Sequence, residues 1–356
     1  MSRFLLSRFE SLAPYTPGEQ PKGVENFIKL NTNEAPFPPA APVRSVVSDA
    51  ELQKLRLYPD PTGSALKEKL AALYGVERDE VYLANGSDDI LYFAFLAYCT
   101  SAPAVYCDVT YGFYKVFASL VGAESTVVPL KEDFSVDVDA ICKAQGTVFL
   151  ANPNAPTAKA LPVSDVERIV KSDKDRIVLV DEAYVDFGAE SALSLLKKYD
   201  NLLVVRTFTK SRAKAGSRLG YAFANKNVIA DLERIRYSTN PYNINRLTLL
   251  LGEKTVECDS YYKAEVEKVC KTREAAADAL RALGFFVTES RTNFLFCRHA
   301  SASAEKLYEA LKERGILVRY FAKEERVKEY LRISVGTPEE MQSLVKTLSE
   351  ILKELL

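Results

Sequence analysis

Three apolar runs in this 356-residue sequence end on residues that could do chemistry together. TVFLANPNAPTA places Asn152 and Asn154 after one run, RIVLVDEAY places Asp181 and Tyr184 after a second, and LLVVRTFTK places Thr207, Thr209 and Lys210 after a third. A fourth group, NGSDD, sets Gly86, Ser87 and Asp88 where a turn feeds an apolar helix. Singly, each has a plain explanation. An aspartate at a strand end is commonly a helix cap, a loop lysine is usually solvated, and a tyrosine is often core packing. Together they supply an amine, a carboxylate, neutral donors and an anion cradle, a combination the plain explanations do not account for.

That combination is what pyridoxal 5'-phosphate (PLP) requires of a protein: an amine to form an imine, an anion beside the pyridine nitrogen, donors to the ring oxygen and a cradle for a phosphate. Lys210 is the candidate amine. Asp181 would keep the ring nitrogen protonated, so that electrons released at the substrate delocalise into the ring. Asn154 and Tyr184 can donate to the phenolic oxygen and stabilise its anion. The phosphate would sit at the helix that follows Gly86, Ser87 and Asp88, where free N–H groups and the helix dipole favour an anion. The hydroxyls of Thr207 and Thr209 and the guanidinium of Arg218 would complete that cradle. Tyr111, in DVTYGFY, is placed to stack on the ring, with core packing as its competing explanation.

These residues need a frame. The short runs AVYC, STVVPL, TVFLANP, RIVLVDEAY, LLVVRTFTK and RLGYAFA alternate with amphipathic stretches near 112–121 and 164–171. Continuous β-branched runs separated by helices predict a mostly parallel sheet covered on both faces, a three-layer α/β/α domain. In such sheets ligands bind beyond the carboxyl ends of the strands, where the candidate residues lie. After Asn240-Pro241 the pattern becomes a helix-rich stretch around 245–283, then FFVTES, NFLFCR, a helix near 303–314, ILVRYF, YLRISV and a terminal helix from Pro338. This predicts a smaller α+β domain. Residues 1–35, rich in proline and glycine, read as an N-terminal arm, 36–240 as the large domain and 241–356 as the small one.

Composition narrows the function classes. Lys plus Arg is 47 against 48 Asp plus Glu, so no global basic field attracts nucleic acid. The six cysteines fall singly, without zinc-ligand spacing, and read as free thiols in a reducing cytoplasm. No metal site is expected. The single histidine, His299, excludes mechanisms built on several imidazoles and reads as a surface-loop residue. Residues 1–20 lack a signal-peptide core and no stretch is long enough to span a bilayer.

The sequence resembles histidinol-phosphate aminotransferases, within the fold-type I PLP enzymes, over nearly its whole length. LAPYTPG (12–18), IKLNTNEAPFPP (28–39), LYPDPTG (57–63), NGSDDIL, ANPNAPTA, LVDEAYVDF, the Lys210 segment, NPYNIN and YLRISVGT carry the resemblance. The resemblance implies the same roles for Lys210, Asp181, Asn154, Tyr184, Ser87, Asp88, Thr209 and Arg218. It also implies a homodimer in which Tyr58 reaches the neighbouring subunit's cofactor. For the substrates it implies Arg332 as principal anion-binding residue, assisted by Arg319, Tyr15 and Asn33. The implied reaction joins L-histidinol phosphate and 2-oxoglutarate with imidazole acetol phosphate and L-glutamate, in histidine biosynthesis.

Two departures stand out. The turn after Asn154 reads Ala155-Pro156-Thr157-Ala158 in place of asparagine-proline-threonine-glycine, and Ser211-Arg212-Ala213-Lys214 replaces small apolar residues after the lysine. Arg212 and Lys214 are either solvated or add positive charge near the phosphate. Three rival readings are an aromatic amino-acid aminotransferase, a PLP-dependent threonine-phosphate decarboxylase, and a non-catalytic PLP-binding regulatory module. The retained lysine and the lack of a DNA-binding segment disfavour the last.

Overall fold

The computed structural model describes residues 2–10, 12–20, 23 and 27–356. After the arm's first two-residue strand, β1 (Ile28–Lys29), the apolar runs form seven strands of one sheet: β2 (Val81–Ala84), β3 (Ala104–Cys107), β4 (Ser125–Val128), β5 (Thr147–Ala151), β6 (Val178–Asp181), β7 (Leu202–Thr207) and β8 (Gly220–Ala224). Their order is β2-β8-β7-β6-β5-β3-β4. Only β8 runs antiparallel to its neighbours. All six other strands therefore point their carboxyl ends to one edge, and Arg218 enters that edge immediately before β8.

Every strand but β4 is buried at each residue, as continuous apolar runs require. The edge strand β4 exposes Ser125 and Val127. Alternation along the strands feeds two cores. Val178, Val180, Leu202 and Val204 face one side, against Leu66, Leu70, Val166 and Ile169. Leu179, Leu203 and Val205 face the other, against Ile90, Phe95, Phe117 and Leu232. This period of two buries both faces of the sheet, at roughly 1.5–3 kcal/mol per large aliphatic side chain.

The carboxyl-terminal unit holds β9 (Phe285–Val287), β10 (Phe294–His299), β11 (Ile316–Leu317), β12 (Arg319–Tyr320) and β13 (Leu331–Ser334). Four of these form an antiparallel sheet in the order β12-β13-β10-β9, covered by the helices Asp259–Ala282, Ala304–Glu313 and Pro338–Leu355. The last helix starts where the sequence places it, with Pro338 in its first turn and a reciprocal Thr337–Glu340 capping box. The arm belongs to this unit as well: β1 pairs parallel with β11, and Leu30 is buried in its core. By contrast, Leu249 of the helix Arg246–Glu257 packs in the same core as Leu66.

His299 completes β10 instead of lying in a loop. Its ring bonds the Leu283 carbonyl through Nε2 and accepts from the Ser301 and Ala302 amides through Nδ1, so it closes a turn. Among the described residues no helix is long and apolar enough to cross a membrane.

Candidate active site

The carboxyl ends of β5, β6 and β7 and the start of the helix Ser87–Tyr98 surround a cavity that opens to solvent. Its walls include Ser87, Asp88, Tyr111, Asp181, Tyr184, Thr207, Thr209, Lys210 and Arg218. The structure thus brings together residues that the sequence separates by more than a hundred positions.

Asp181 ends β6 and is only 6% exposed. Its Oδ1 accepts from the Ala183 amide and its Oδ2 from the Tyr114 hydroxyl, each at 3.1 Å. Burial nevertheless pushes its carboxyl up to about 6, because those two donors offset only part of the desolvation. A carboxylate in this condition is completed by a cation brought to it.

Lys210 follows β7. Its Nζ donates to the Thr32 carbonyl at 3.3 Å and lies 5.7 Å from the centre of the Tyr184 ring. The Tyr184 hydroxyl accepts from Asn33 Nδ2 at 3.0 Å, which leaves its own hydrogen to be donated into the cavity. Asn33 is buried with φ +56°, held by Ser334, whose hydroxyl both accepts from its amide and donates to its side chain.

At the opposite wall, Gly86 has φ +91°, and a side chain there would meet Arg218 Nη2 at 2.7 Å. A Cβ on Gly220 would lie 2.4 Å from the Ser87 amide nitrogen. Two glycines therefore let β8, the Arg218 guanidinium and a helix amino terminus converge on one point, an arrangement suited to a phosphate. Arg218 also reaches Asp88 Oδ2 at 3.2 Å, and Tyr111 donates to Asp88 Oδ1 at 2.8 Å. Thr207 Oγ1 accepts from the Thr209 amide at 3.0 Å and fixes the turn that leads to Lys210.

A planar aromatic aldehyde with a phosphate fits these residues: the buried carboxylate has no cation beside it among the described residues, and the glycine-lined cradle opens on the same cavity. PLP would be held by Lys210, Asp181, Tyr184, Tyr111 and the Ser87–Arg218 cradle.

Asn154 sits differently from its expected role. Its Nδ2 donates to the Val109 carbonyl and to Thr157 Oγ1, both at 2.9 Å, and its Oδ1 accepts from Thr110. Its amide hydrogens are engaged in holding the turn, while Pro153 and Ala155 on either side line the cavity.

Arg319 and Arg332 are register partners on β12 and β13. Arg332 Nη2 donates to the Asn31 carbonyl at 3.0 Å, whereas its buried Nε has no partner among the described residues. Burial, with the Arg319 charge adding to it, lowers its pKa. Arg319 donates to the Thr16 and Pro17 carbonyls, and Tyr15 stacks on Phe113 with ring centres 4.3 Å apart. Tyr15 thereby stands 6.3 Å from Tyr111. Tyr58 is not among the residues that line this cavity: it is 75% exposed and stacks on Tyr242.

The structure also decides between the two readings of Arg212 and Lys214: neither is solvated and neither lines the cavity. Arg212 pairs with Asp259 at 2.6 Å, where the helix Asp259–Ala282 begins. Lys214 is buried, and burial lowers its amine to about 8.

Sequence reasoning missed Tyr114, Thr32 and the buried pair of Glu182 with Arg206, joined at 2.9 Å behind Asp181. An arginine inside the apolar run LLVVRT was a signal for that pair, since a buried guanidinium needs a carboxylate.

The aminotransferase class I and II family model matches residues 25–348. A histidinol-phosphate aminotransferase of Brachyspira hyodysenteriae is 46% identical over 355 residues, 99% of this chain and 100% of that protein. One from Clostridium acetobutylicum is 43% identical over 351 residues, 98% of this chain and 99% of its own. Among solved structures, the histidinol-phosphate aminotransferase from Sinorhizobium meliloti in complex with pyridoxal-5'-phosphate aligns over 100% of both chains with a TM-score of 0.86 at 22% identity, a likeness of fold.

Proposed function

We propose that this chain, which belongs to the class I and II aminotransferases, moves the amino group of L-histidinol phosphate to 2-oxoglutarate, giving imidazole acetol phosphate and L-glutamate in histidine biosynthesis. Near-full-length identity of 46% to a histidinol-phosphate aminotransferase carries this reading. The paired guanidiniums of Arg319 and Arg332 support it, because two cations suit a phosphate on one substrate and a carboxylate on the other.

When bound, PLP supplies an electron sink for the pair released as the bond between hydrogen and the amine-bearing carbon breaks. The chain does the rest. Lys210 would hold the cofactor through Nζ and would take up the substrate proton at that same atom. The Thr32 carbonyl aims Nζ. Asp181, supported by Tyr114, would keep a proton on the ring nitrogen. Tyr184 would donate to the ring oxygen, Tyr111 would cover the ring, and Ser87, Thr209 and Arg218 would hold the phosphate. Asn33 orients Tyr184, and Tyr15 helps exclude water from the substrate end.

A homodimer belongs to this reading. Leu52, Leu55, Leu57 and Tyr58 are all more than 40% exposed along one short segment, an apolar surface that a second copy would cover, carrying Tyr58 to its partner's cofactor. Of the arm (1–35), large domain (36–240) and small domain (241–356), the last boundary fits the packing better after Glu257, because the helix Arg246–Glu257 shares the large core. The enzyme is placed in the cytoplasm, where its six free thiols would stay reduced.

The purified protein should turn over histidinol phosphate with 2-oxoglutarate far faster than phenylalanine. Preference for phenylalanine would replace this reading with an aromatic aminotransferase, and release of carbon dioxide from threonine phosphate without a keto acid would replace it with a decarboxylase.

A further inference from the structure

Lys210 Nζ donates to the backbone carbonyl of Thr32, and the hydroxyl of that same threonine is gripped from two sides. Lys29 Nζ donates to Thr32 Oγ1 at 2.8 Å, and Thr32 Oγ1 donates to Glu34 Oε2 at 2.8 Å. A direct ion pair between Lys29 and Glu34 closes the ring. Lys29 lies on β1 in register with Leu317, so this ring of three residues is fixed to the carboxyl-terminal unit.

We propose that Lys29 and Glu34 are positioning residues that act through Thr32 and balance one another to set the charge state of Lys210. Thr32 fixes where the amine points, while the two opposite charges beside it nearly cancel. Against the upward push of burial, the bonds from Lys29 and Thr32 and the charges of Lys29 and Lys210 hold the Glu34 carboxyl below its ordinary range. Coupling between Glu34 and Lys210 is reciprocal, so a change in Glu34 is felt at the amine. Other charged or titratable groups share the two cavities that Lys210 lines: Tyr184, Asp181, Asp88, Tyr111 and Arg218 in the first, and Tyr261, Tyr262 and Glu265 in the second. None of them changes in the variants below, so differences between variants report the pair alone.

The inference rests on the reading above only in taking Lys210 as the reacting amine, and its test needs neither cofactor nor substrate. Protein freed of cofactor is acetylated with trace acetic anhydride across a pH series, and the labelled fraction of Lys210 is read by peptide mass spectrometry. Glu34→Gln leaves the Lys29 cation uncompensated, which disfavours a second cation. The labelling midpoint of Lys210 should then fall by about 0.5–1 pH unit. Lys29→Met leaves the Glu34 anion and should raise the midpoint by about as much. The double variant should lie between the two, near the parent protein, and Lys29→Arg should keep the parent midpoint. Equal midpoints in all variants, or shifts of both single variants in the same direction, would overturn the proposal. If Lys29→Met does not fold, the sign of the Glu34→Gln shift decides alone. Absence of transamination would count against the proposed function and not against this inference.

Discussion

Tyr114 donates its hydroxyl hydrogen to Asp181 Oδ2 at 3.1 Å and is itself fully buried. The helix Phe113–Val121 thus does more than cover the sheet: its second residue reaches the end of β6 and supports the one carboxylate that would face a pyridine nitrogen. Asp181 still titrates near 6 with that support, so the bond matters most where the group is ionised.

Tyr114→Phe should therefore destabilise the cofactor-free protein by about 1–2 kcal/mol at pH 8, the cost of removing a donor from a buried anion. At pH 4.5 Asp181 is protonated and the loss should be less than half as large. Urea unfolding at the two pH values measures the difference.

Asp181→Asn should separate stability from activity. The folded pKa, about 6, lies above the unfolded value near 3.8, so the folded state holds the extra proton. The cost of the buried anion is absent below pH 4, grows as pH rises through that window and is complete above about pH 7. The cofactor-free variant should then be about 1–2 kcal/mol more stable than the parent at pH 8 and equal to it at pH 4. Its transamination rate should fall roughly a thousandfold, because the ring nitrogen loses its counter-charge. Unfolding curves at both pH values and initial rates check the two halves.

How far the sequence reached follows from the range of the interactions. Strands β5, β6 and β7 were legible because a parallel sheet buries both faces, which writes each strand as an unbroken apolar run with its chemistry at the carboxyl end. Asp181 and Lys210 stand at those ends, and Arg218 stands at the same edge just before β8. The Thr32 carbonyl that aims Lys210 is 178 positions away, and a backbone acceptor leaves no mark on residue type. Tyr114 is 67 positions from Asp181 and looks like any buried aromatic on an amphipathic helix. Asn154 was read from its position after a strand, but its amide is engaged by Val109 and Thr157, partners set by how the following turn folds. His299 reads as a loop residue in the sequence because the polar stretch after it hides the last residue of β10.

Lys214 gives a prediction of the opposite sign to Tyr114. Its folded pKa, about 8, lies below the unfolded value near 10.5, so below pH 8 both states are protonated and the buried ammonium costs stability. That cost is relieved as pH rises from 8 toward 10.5, where the folded state releases its proton first. Lys214→Met should stabilise the protein by about 1–2 kcal/mol at pH 7, with the advantage shrinking by pH 10. Thermal melts at pH 7 and pH 10 read the change, and activity should be kept, since Lys214 does not line the cavity.

We propose Lys210 as the residue that holds the cofactor. Purified protein loaded with PLP is reduced with borohydride, digested and examined by peptide mass spectrometry, beside Lys210→Ala treated in the same way. A pyridoxyl group is expected on Lys210 in the parent, and neither that group nor transamination of histidinol phosphate in the variant. A pyridoxyl group on Lys214 or another lysine, or a Lys210→Ala protein that still transaminates at the parent's rate, would contradict it.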